Sequence, residues 1–138
     1  MAEATTDRIH VELVTPDKRM LREDVLDVSL PGREGYLGIL PGHAPLISEL
    51  AVGEITYKNE GGTHYLSVAW GFAEVLPDKV TILAETAERP EEIDVKRAEG
   101  AKKRAEDRLQ SGNAEVDFER ATEALERAET RLEVAEKK

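Results

Sequence analysis

The pattern of apolar and polar positions divides the chain into two unlike parts. Up to about residue 88, short apolar runs are separated by Gly, Pro and Asn, and over 9–13 apolar and polar residues alternate as in a half-buried strand. Beyond Pro90 the apolar residues recur every three or four positions, as on one face of a helix. The first part therefore predicts strands and the second predicts helices.

Turn signals set the limits of the predicted strands. Sequences typical of tight turns occur at 15–18, at Asn59-Glu60-Gly61-Gly62 and at Pro77-Asp78. Short strands at this spacing, with no helix between them, favour a β-sandwich or a barrel. The predicted strand segments are 9–13, 20–23, 25–30, a brief strand within 31–43, 51–58, 64–68, 72–76 and 79–84.

The last third of the chain predicts an antiparallel helical hairpin. Two stripes at helical spacing flank the helix-breaking sequence Ser111-Gly112-Asn113. Because both stripes are rich in alanine they bury little area, and Gly100 costs about 1 kcal/mol relative to Ala, so the hairpin should be conditional. The first stripe is Ala98, Ala101, Ala105 and Leu109; the second is Phe118, Ala121, Leu125, Ala128, Leu132 and Ala135.

The two parts meet at a short junction. Pro90 ends the strand part, because proline fixes φ and lacks an N–H for a ladder. Asp94 stands where a helix N-cap is expected, able to accept a bond from a first-turn N–H. We predict two domains, a β-sandwich over 1–88 and a regulatory helical hairpin over 89–138, with residues 93–98 as the hinge.

Composition narrows the classes of function. The net charge of −10 argues against binding to nucleic acid. Residues 1–88 hold 7 Lys/Arg against 15 Asp/Glu, a net of −8, whereas 89–138 hold 12 against 14, a net of −2. The absence of cysteine excludes disulfides and thiolate zinc sites. No signal peptide and no membrane-spanning run is expected.

No catalytic or metal-binding constellation is expected either. His10, His43 and His64 are scattered, without the close spacing of metal ligands. The glycines of the 31–43 segment do not have the spacing of a P-loop or a dinucleotide fingerprint. A serine nucleophile motif is also missing.

The arginines of the hairpin are the best candidates for binding. Arg97 and Arg104 lie two turns apart on the first predicted helix, and Arg120, Arg127 and Arg131 recur on the second. If the hairpin closes, these guanidinium groups can converge on one flank, where they would suit phosphate groups. The alternative is ordinary pairing along one helix, as between Glu123 and Arg127.

Several motifs carry a family resemblance along essentially the whole chain. They are Val14-Thr15-Pro16-Asp17, Gly38-Ile39-Leu40-Pro41-Gly42-His43-Ala44-Pro45-Leu46, Glu74-Val75 with Val80-Thr81-Ile82-Leu83-Ala84, and Ile93-Asp94-x-x-Arg97-Ala98. In this order they resemble the epsilon subunits of bacterial rotary F-type ATP synthases. The glycine-proline loop followed by the I-D-x-x-R-A hinge is the specific part of the match.

The resemblance implies an α+β fold, an antiparallel sandwich of about ten strands followed by an antiparallel helical hairpin. It implies a non-catalytic central-stalk subunit, bound to gamma and to the ring of c subunits, that couples proton transport to ATP synthesis. The extended hairpin would reach alpha and beta subunits and inhibit ATP hydrolysis. The location implied is peripheral, on the cytoplasmic face of the bacterial cell membrane, without insertion into it.

The resemblance also implies a regulatory ligand, since in some members the folded hairpin binds ATP. No cofactor would be required. A stand-alone ATP-sensing module is the competing interpretation. Carried over by position, the ATP ligands would be Glu88, Ile93, Asp94, Arg97, Ala98, Arg104, Arg127 and Arg131.

Two positions depart from the family pattern. Tyr36 stands where many members have an acidic residue, in the loop expected near the c ring. Trp70 stands where glycine is common. Both positions bear on docking to gamma or to the ring.

Overall fold

The computed structural model describes residues 7–137, which form eight β-strands followed by two α-helices. A single turn of 3-10 helix, Pro90–Glu92, joins the strands to the helices. The strands are β1 Ile9–Val14, β2 Arg19–Val25, β3 Asp27–Gly32, β4 Gly35–Ile39, β5 Leu46–Leu50, β6 Gly53–Asn59, β7 Gly62–Val75 and β8 Lys79–Glu88. The helices are α1 Val95–Gln110 and α2 Phe118–Ala135.

The long strand β7 organises the sandwich. Along one edge it pairs with β8, and along the other it pairs with β6 over its first half and with β5 over its second half. Strand β3 in turn pairs with β4, β5 and β6, while β1 and β2 extend the sheet beyond β8. The sheet thereby folds over a single core, as the strand half of the sequence predicts.

Aliphatic side chains fill this core. Alternate residues point inward along β1 and along the first part of β8, where Val80, Ile82 and Ala84 share the buried face, as predicted. The exception to aliphatic packing is Tyr57, which is 2 % exposed and stacks on His64 with ring centroids 5.0 Å apart. The largest fully buried aliphatic side chains include Ile9, Leu13, Leu30, Ile39, Leu50, Ile55, Leu66 and Ile82.

Two details of the predicted sandwich are wrong. There are eight strands rather than about ten, and the sheet is mixed rather than antiparallel, because β1 pairs with β8 in parallel. The predicted segments 64–68 and 72–76 form the single strand β7, and β5 was not predicted. The break expected between the two segments is only a local distortion, where Trp70 (φ 60°) and Gly71 (φ 129°) have positive φ.

The two helices form the predicted hairpin, and alanine makes its seam. Asp94 accepts a hydrogen bond from the Arg97 N–H at 3.1 Å, so it caps α1 as predicted, and Asp117 caps α2 in the same way. The buried seam residues are Ala98, Ala105, Ala121, Ala128 and Ala135.

One predicted seam residue is wrong. Phe118 is 68 % exposed, at the first position of α2. Val134, at the other end of α2, was not in the predicted stripe and is completely buried, although it packs with Ile93 and Tyr65 rather than in the seam.

The hairpin folds back on the sandwich through the end of α2. Val134 and Ala135 pack with Ile93 and Tyr65 in a small apolar cluster separate from the main core. Helix α2 contacts β6, β7 and the 3-10 turn. Within 7–137, neither helix is long and apolar enough to cross a membrane.

Candidate functional site

A cleft lies between the hairpin and the sandwich. Its volume is about 460 Å3, and its walls come from three places: the β1–β2 turn, the end of β8, and the facing flanks of α1 and α2. We call it the hinge cleft. It is lined by Thr15, Asp17, Lys18, Met20, Glu85, Thr86, Ala87, Glu88, Arg97, Ala101, Ala124, Arg127, Ala128 and Arg131.

The hinge cleft is lined by both charged and apolar side chains. Four cationic side chains face it against three carboxylates, which leaves a small excess of positive charge on a strongly acidic chain. The small side chains of Ala101, Ala124 and Ala128 form an apolar wall on the helical side. An apolar wall beside convergent guanidinium groups suits a ligand with a flat apolar part and an anionic part.

Arg131 and Glu88 close one side of the hinge cleft with a bidentate ion pair. Arg131 Nε lies 2.6 Å from Glu88 Oε1, and an Nη lies 3.1 Å from Glu88 Oε2. Both side chains are largely shielded, at 22 % and 32 % exposure. Planar fork-to-carboxylate geometry is the strongest form of such a pair, so it fixes α2 against the end of β8.

Arg97 and Arg127 differ from Arg131, because no carboxylate holds them. Among residues 7–137, neither guanidinium has an acidic partner within 4 Å. In particular, the described side chains of Glu123 and Arg127 do not form the pair considered above as the alternative to convergence. These two guanidiniums are therefore available to an anionic ligand without first breaking an ion pair.

Arg89 anchors the 3-10 turn that precedes the hinge. One Nη of Arg89 donates to the Met20 carbonyl at 2.8 Å, and its backbone N–H donates to Glu92 Oε1 at 2.8 Å. Lys18 Nζ lies 3.2 Å from Glu92 Oε2. The bond from the Arg89 N–H, with help from Lys18, lowers the pKa of the Glu92 carboxyl below its ordinary value.

The structure brings together only half of the residues predicted to bind ATP. Glu88, Arg97, Arg127 and Arg131 line the hinge cleft. The other four do not line the cleft. Three of them have structural roles, and Arg104 shows none. Ile93 is buried against Val134, Asp94 caps α1, Ala98 is fully buried in the seam, and the exposed Arg104 lies beside Gly100.

Apart from Glu88, sequence reasoning missed the sandwich's contribution to this site. Lys18 and Met20 were seen only as turn and strand residues, and Arg89 was not singled out. Lys18 reaches a partner 74 positions away and Arg89 one 69 positions away. No local pattern reports such long-range contacts, so only the fold could show them.

A second cavity adjoins the hinge cleft near the loop that connects the two helices. Its volume is about 520 Å3, and it shares Ala124 and Arg127 with the hinge cleft. Arg108 and Arg120 face it, together with the acidic residues Glu115 and Asp117. Arg120, noted from its spacing with Arg127, therefore lies on the same flank but outside the hinge cleft.

The geometry favours binding rather than chemistry. Over the described range 7–137, no group of three or more His, Asp or Glu side chains is placed to hold a metal ion. The side chains facing the hinge cleft offer donors, acceptors and an apolar wall. What this arrangement can do is recognise an anion and, by bridging α1, α2 and the sandwich, favour the closed hairpin.

Comparison with known families gives two adjacent matches. Residues 8–90 match the family described as the beta-sandwich domain of the ATP synthase delta/epsilon chain. Residues 91–136 match the long alpha-helix domain of the same chain. Together they span nearly all of the described residues.

Individual relatives agree with this match. An ATP synthase epsilon chain from Koribacter versatilis is 64 % identical over 109 residues, covering 79 % of this chain and 77 % of that protein. One from Nitratidesulfovibrio vulgaris is 55 % identical over 101 residues, covering 73 % and 75 %.

Solved structures give the same picture. A chain in the cryo-EM structure of Euglena gracilis mitochondrial ATP synthase, OSCP/F1/c-ring, has a TM-score of 0.82 at 30 % identity, covering 98 % of this chain and 85 % of that one. A chain in the Tetrahymena thermophila central stalk/c-ring structure has a TM-score of 0.58 at 15 % identity, covering 97 % and 98 %, and shows the shared fold alone.

Proposed function

This chain belongs to the ATP synthase delta/epsilon family as an F-type epsilon chain, and we propose that it is a non-catalytic, regulatory subunit of the central stalk. In this role it couples proton transport to ATP synthesis through contacts with gamma and the c ring. It works as a peripheral protein at the cytoplasmic face of the bacterial membrane.

One observation carries the regulatory part of the proposal. The hinge cleft exists only while the hairpin is closed, because its walls come from α1, α2 and the sandwich together. A ligand in the cleft therefore binds the closed form alone. By mass action it shifts the hairpin towards that form, by a factor of about 100 when its concentration is 100 times its Kd.

We propose ATP as that ligand. Arg97 and Arg127 contact the phosphates, since no carboxylate of residues 7–137 lies within 4 Å of either guanidinium. Glu88 is placed to accept from a ribose hydroxyl or the adenine amino group. The alanine wall and Met20 offer an apolar surface for the base. Arg131 positions Glu88 through their ion pair, and Ile93, Asp94 and Ala98 support the hinge. Arg104 is the remaining ligand carried over by resemblance.

The proposed regulation follows from the closed hairpin. At high ATP the hairpin stays down on the sandwich and the enzyme turns over freely. At low ATP the helices extend towards alpha, beta and gamma and inhibit ATP hydrolysis. The alanine seam makes this exchange feasible, since it buries little apolar area per turn.

Reconstitution tests the coupling role. Membranes that contain the ATP synthase without this chain should hydrolyse ATP with weakened proton pumping, and adding the chain should restore coupling. A chain truncated after residue 89 should restore coupling without inhibiting hydrolysis. Coupling and hydrolysis that do not respond to the chain would refute the proposal.

The competing stand-alone ATP-sensing module makes a different prediction. A free sensor should elute alone on size exclusion when mixed with the gamma subunit. A stalk subunit should elute with gamma as a stable pair. The same experiment with and without ATP shows whether hairpin closure affects that pair.

A further inference from the structure

The end of α2 is held to the sandwich at a second point, away from the hinge cleft. Lys137 Nζ lies 2.7 Å from Glu54 Oε2 on β6 and 4.8 Å from the centre of the Tyr65 ring on β7. None of these three residues lines the hinge cleft. We call this group, Lys137, Glu54 and Tyr65, the α2 latch.

Glu54 is held in place from several directions. Its Oε1 accepts a hydrogen bond from the Thr56 hydroxyl at 3.2 Å, while Oε2 faces Lys137. Its side chain is 19 % exposed, which is low for a carboxylate in a surface ion pair. Shielding from water strengthens such a charge-assisted bond relative to a fully exposed one.

Tyr36 contacts the same residue from the other side. The Glu54 backbone N–H donates to the Tyr36 hydroxyl at 3.0 Å. Tyr36 lies at the start of β4, beside the β3–β4 turn, and is 61 % exposed overall. An exposed residue at the tip of one hairpin is thus joined by a hydrogen bond to the residue that binds the end of α2.

Glycine at position 53 permits this contact. A Cβ there would lie 2.5 Å from Pro31 Cβ and 2.7 Å from the Tyr36 hydroxyl, both far inside van der Waals contact. Because Gly53 has no side chain, the Tyr36 hydroxyl can approach the backbone of β6. The close contact of the Tyr36 hydroxyl with β6 therefore depends on the packing between β3, β4 and β6.

We infer that the α2 latch keeps the hairpin down independently of any anion in the hinge cleft, and that Tyr36 sets the latch by positioning Glu54. The apolar cluster of Val134, Ala135 and Ile93 packs the end of α2 against the sandwich, and the ion pair of Lys137 with Glu54 stabilises this contact.

Hydrogen exchange on the full chain without nucleotide tests the latch. Lys137→Gln removes the charge, and the amides of residues 129–135 should exchange about fivefold faster, the effect of losing one partly shielded ion pair. Lys103→Gln is the matched control, because Lys103 lies on the same hairpin and, among the described side chains, pairs only with Asp107 of its own helix, at 4.0 Å.

A double-mutant cycle tests the part played by Tyr36. Tyr36→Phe removes the acceptor and keeps the ring, so it should speed exchange at 129–135 in the wild-type background. In the Lys137→Gln background it should have no further effect, because the latch is already open.

Each outcome decides one part of the inference. Unchanged exchange in Lys137→Gln, or an equal change in Lys103→Gln, overturns the latch. An effect of Tyr36→Phe that adds in full to that of Lys137→Gln overturns the role of Tyr36. Since no nucleotide is present, neither result depends on whether ATP binds in the hinge cleft.

Discussion

A few single residues determine where the backbone is strained and where the hinge is attached to the sandwich. Trp70 has a positive φ of 60°, a conformation that costs a side-chain-bearing residue about 1–2 kcal/mol and that glycine adopts without this cost. Gly71 follows with φ 129° and lets β7 pass close to β8. Arg89 ties the start of the hinge to the backbone of β2. Each of these roles depends on one side chain or on its absence.

Gly71→Ala should destabilise the sandwich severely. A Cβ at this position would lie 1.9 Å from the Leu83 carbonyl oxygen and 2.9 Å from Ala84 Cα, so backbone would have to move. We expect a loss of about 3 kcal/mol or more in the free energy of unfolding, measured by urea denaturation. Gly38→Ala is the control, because nothing lies within 4 Å of its Cβ position; equal losses in both variants would contradict this account.

Asp94 acts as a helix cap, and its substitution by Asn and by Ala separates that role from charge. Asp94→Asn keeps an oxygen that accepts from the Arg97 N–H, so α1 should be stable and ATP affinity close to that of the wild type. Asp94→Ala should cost about 1 kcal/mol at the helix start and weaken ATP binding. Amide exchange in the first turn of α1 and calorimetry measure the two effects. Loss of binding in Asp94→Asn would instead show that ATP needs the charge.

At the scale of elements, the sequence predicted types better than boundaries and contacts. The alternation over 9–13 and the Asp94 cap depend on neighbouring residues, and both predictions are confirmed. The strand β5 and the exposure of Phe118 depend on which element lies opposite, which no local pattern contains. For the same reason the spacing of the arginines showed that they could converge, but only the fold places Arg97 and Arg127 beside Lys18.

The alanine seam makes a prediction about the hairpin. Ala105 is 1 % exposed between the helices, so Ala105→Leu should force α1 and α2 apart and cost about 1–3 kcal/mol. Thermal unfolding followed by the helical circular dichroism signal measures the change. Ala114→Leu, at an exposed position in the loop between the helices, should have little effect. A stable Ala105→Leu hairpin would mean that the seam is not closely packed.

The 3-10 turn at the hinge should respond to acid through Glu92. Its pKa is lowered from 4.5, chiefly by the bond from the Arg89 N–H, so its ionised form stabilises the fold above pH 4.5. This contribution is lost as the pH falls through the lowered pKa. Glu92→Gln keeps an acceptor without titrating. The stability of the wild type relative to this variant should therefore increase as the pH rises towards 4.5, and a flat or falling difference would contradict the assignment.

At the scale of the whole molecule, charge joins the two bodies. Glu88 and Glu54 of the acidic sandwich bind Arg131 of α2 and Lys137 just beyond it, respectively. Lys18 of the sandwich binds Glu92 of the 3-10 turn. The helices contribute apolar contact mainly at one end of α2. A body attached at a few points can detach without unfolding, as the regulatory role that we propose for the hairpin requires.

The central claim is that the closed hairpin binds ATP in the hinge cleft, and calorimetry on the full chain tests it most directly. We predict a saturable heat with one ATP per chain, an affinity at least about tenfold lower in Arg97→Ala and in Arg127→Ala, and no change in Lys103→Ala. The absence of any ATP heat at millimolar ligand, or an equal loss of affinity in Lys103→Ala, would contradict the account.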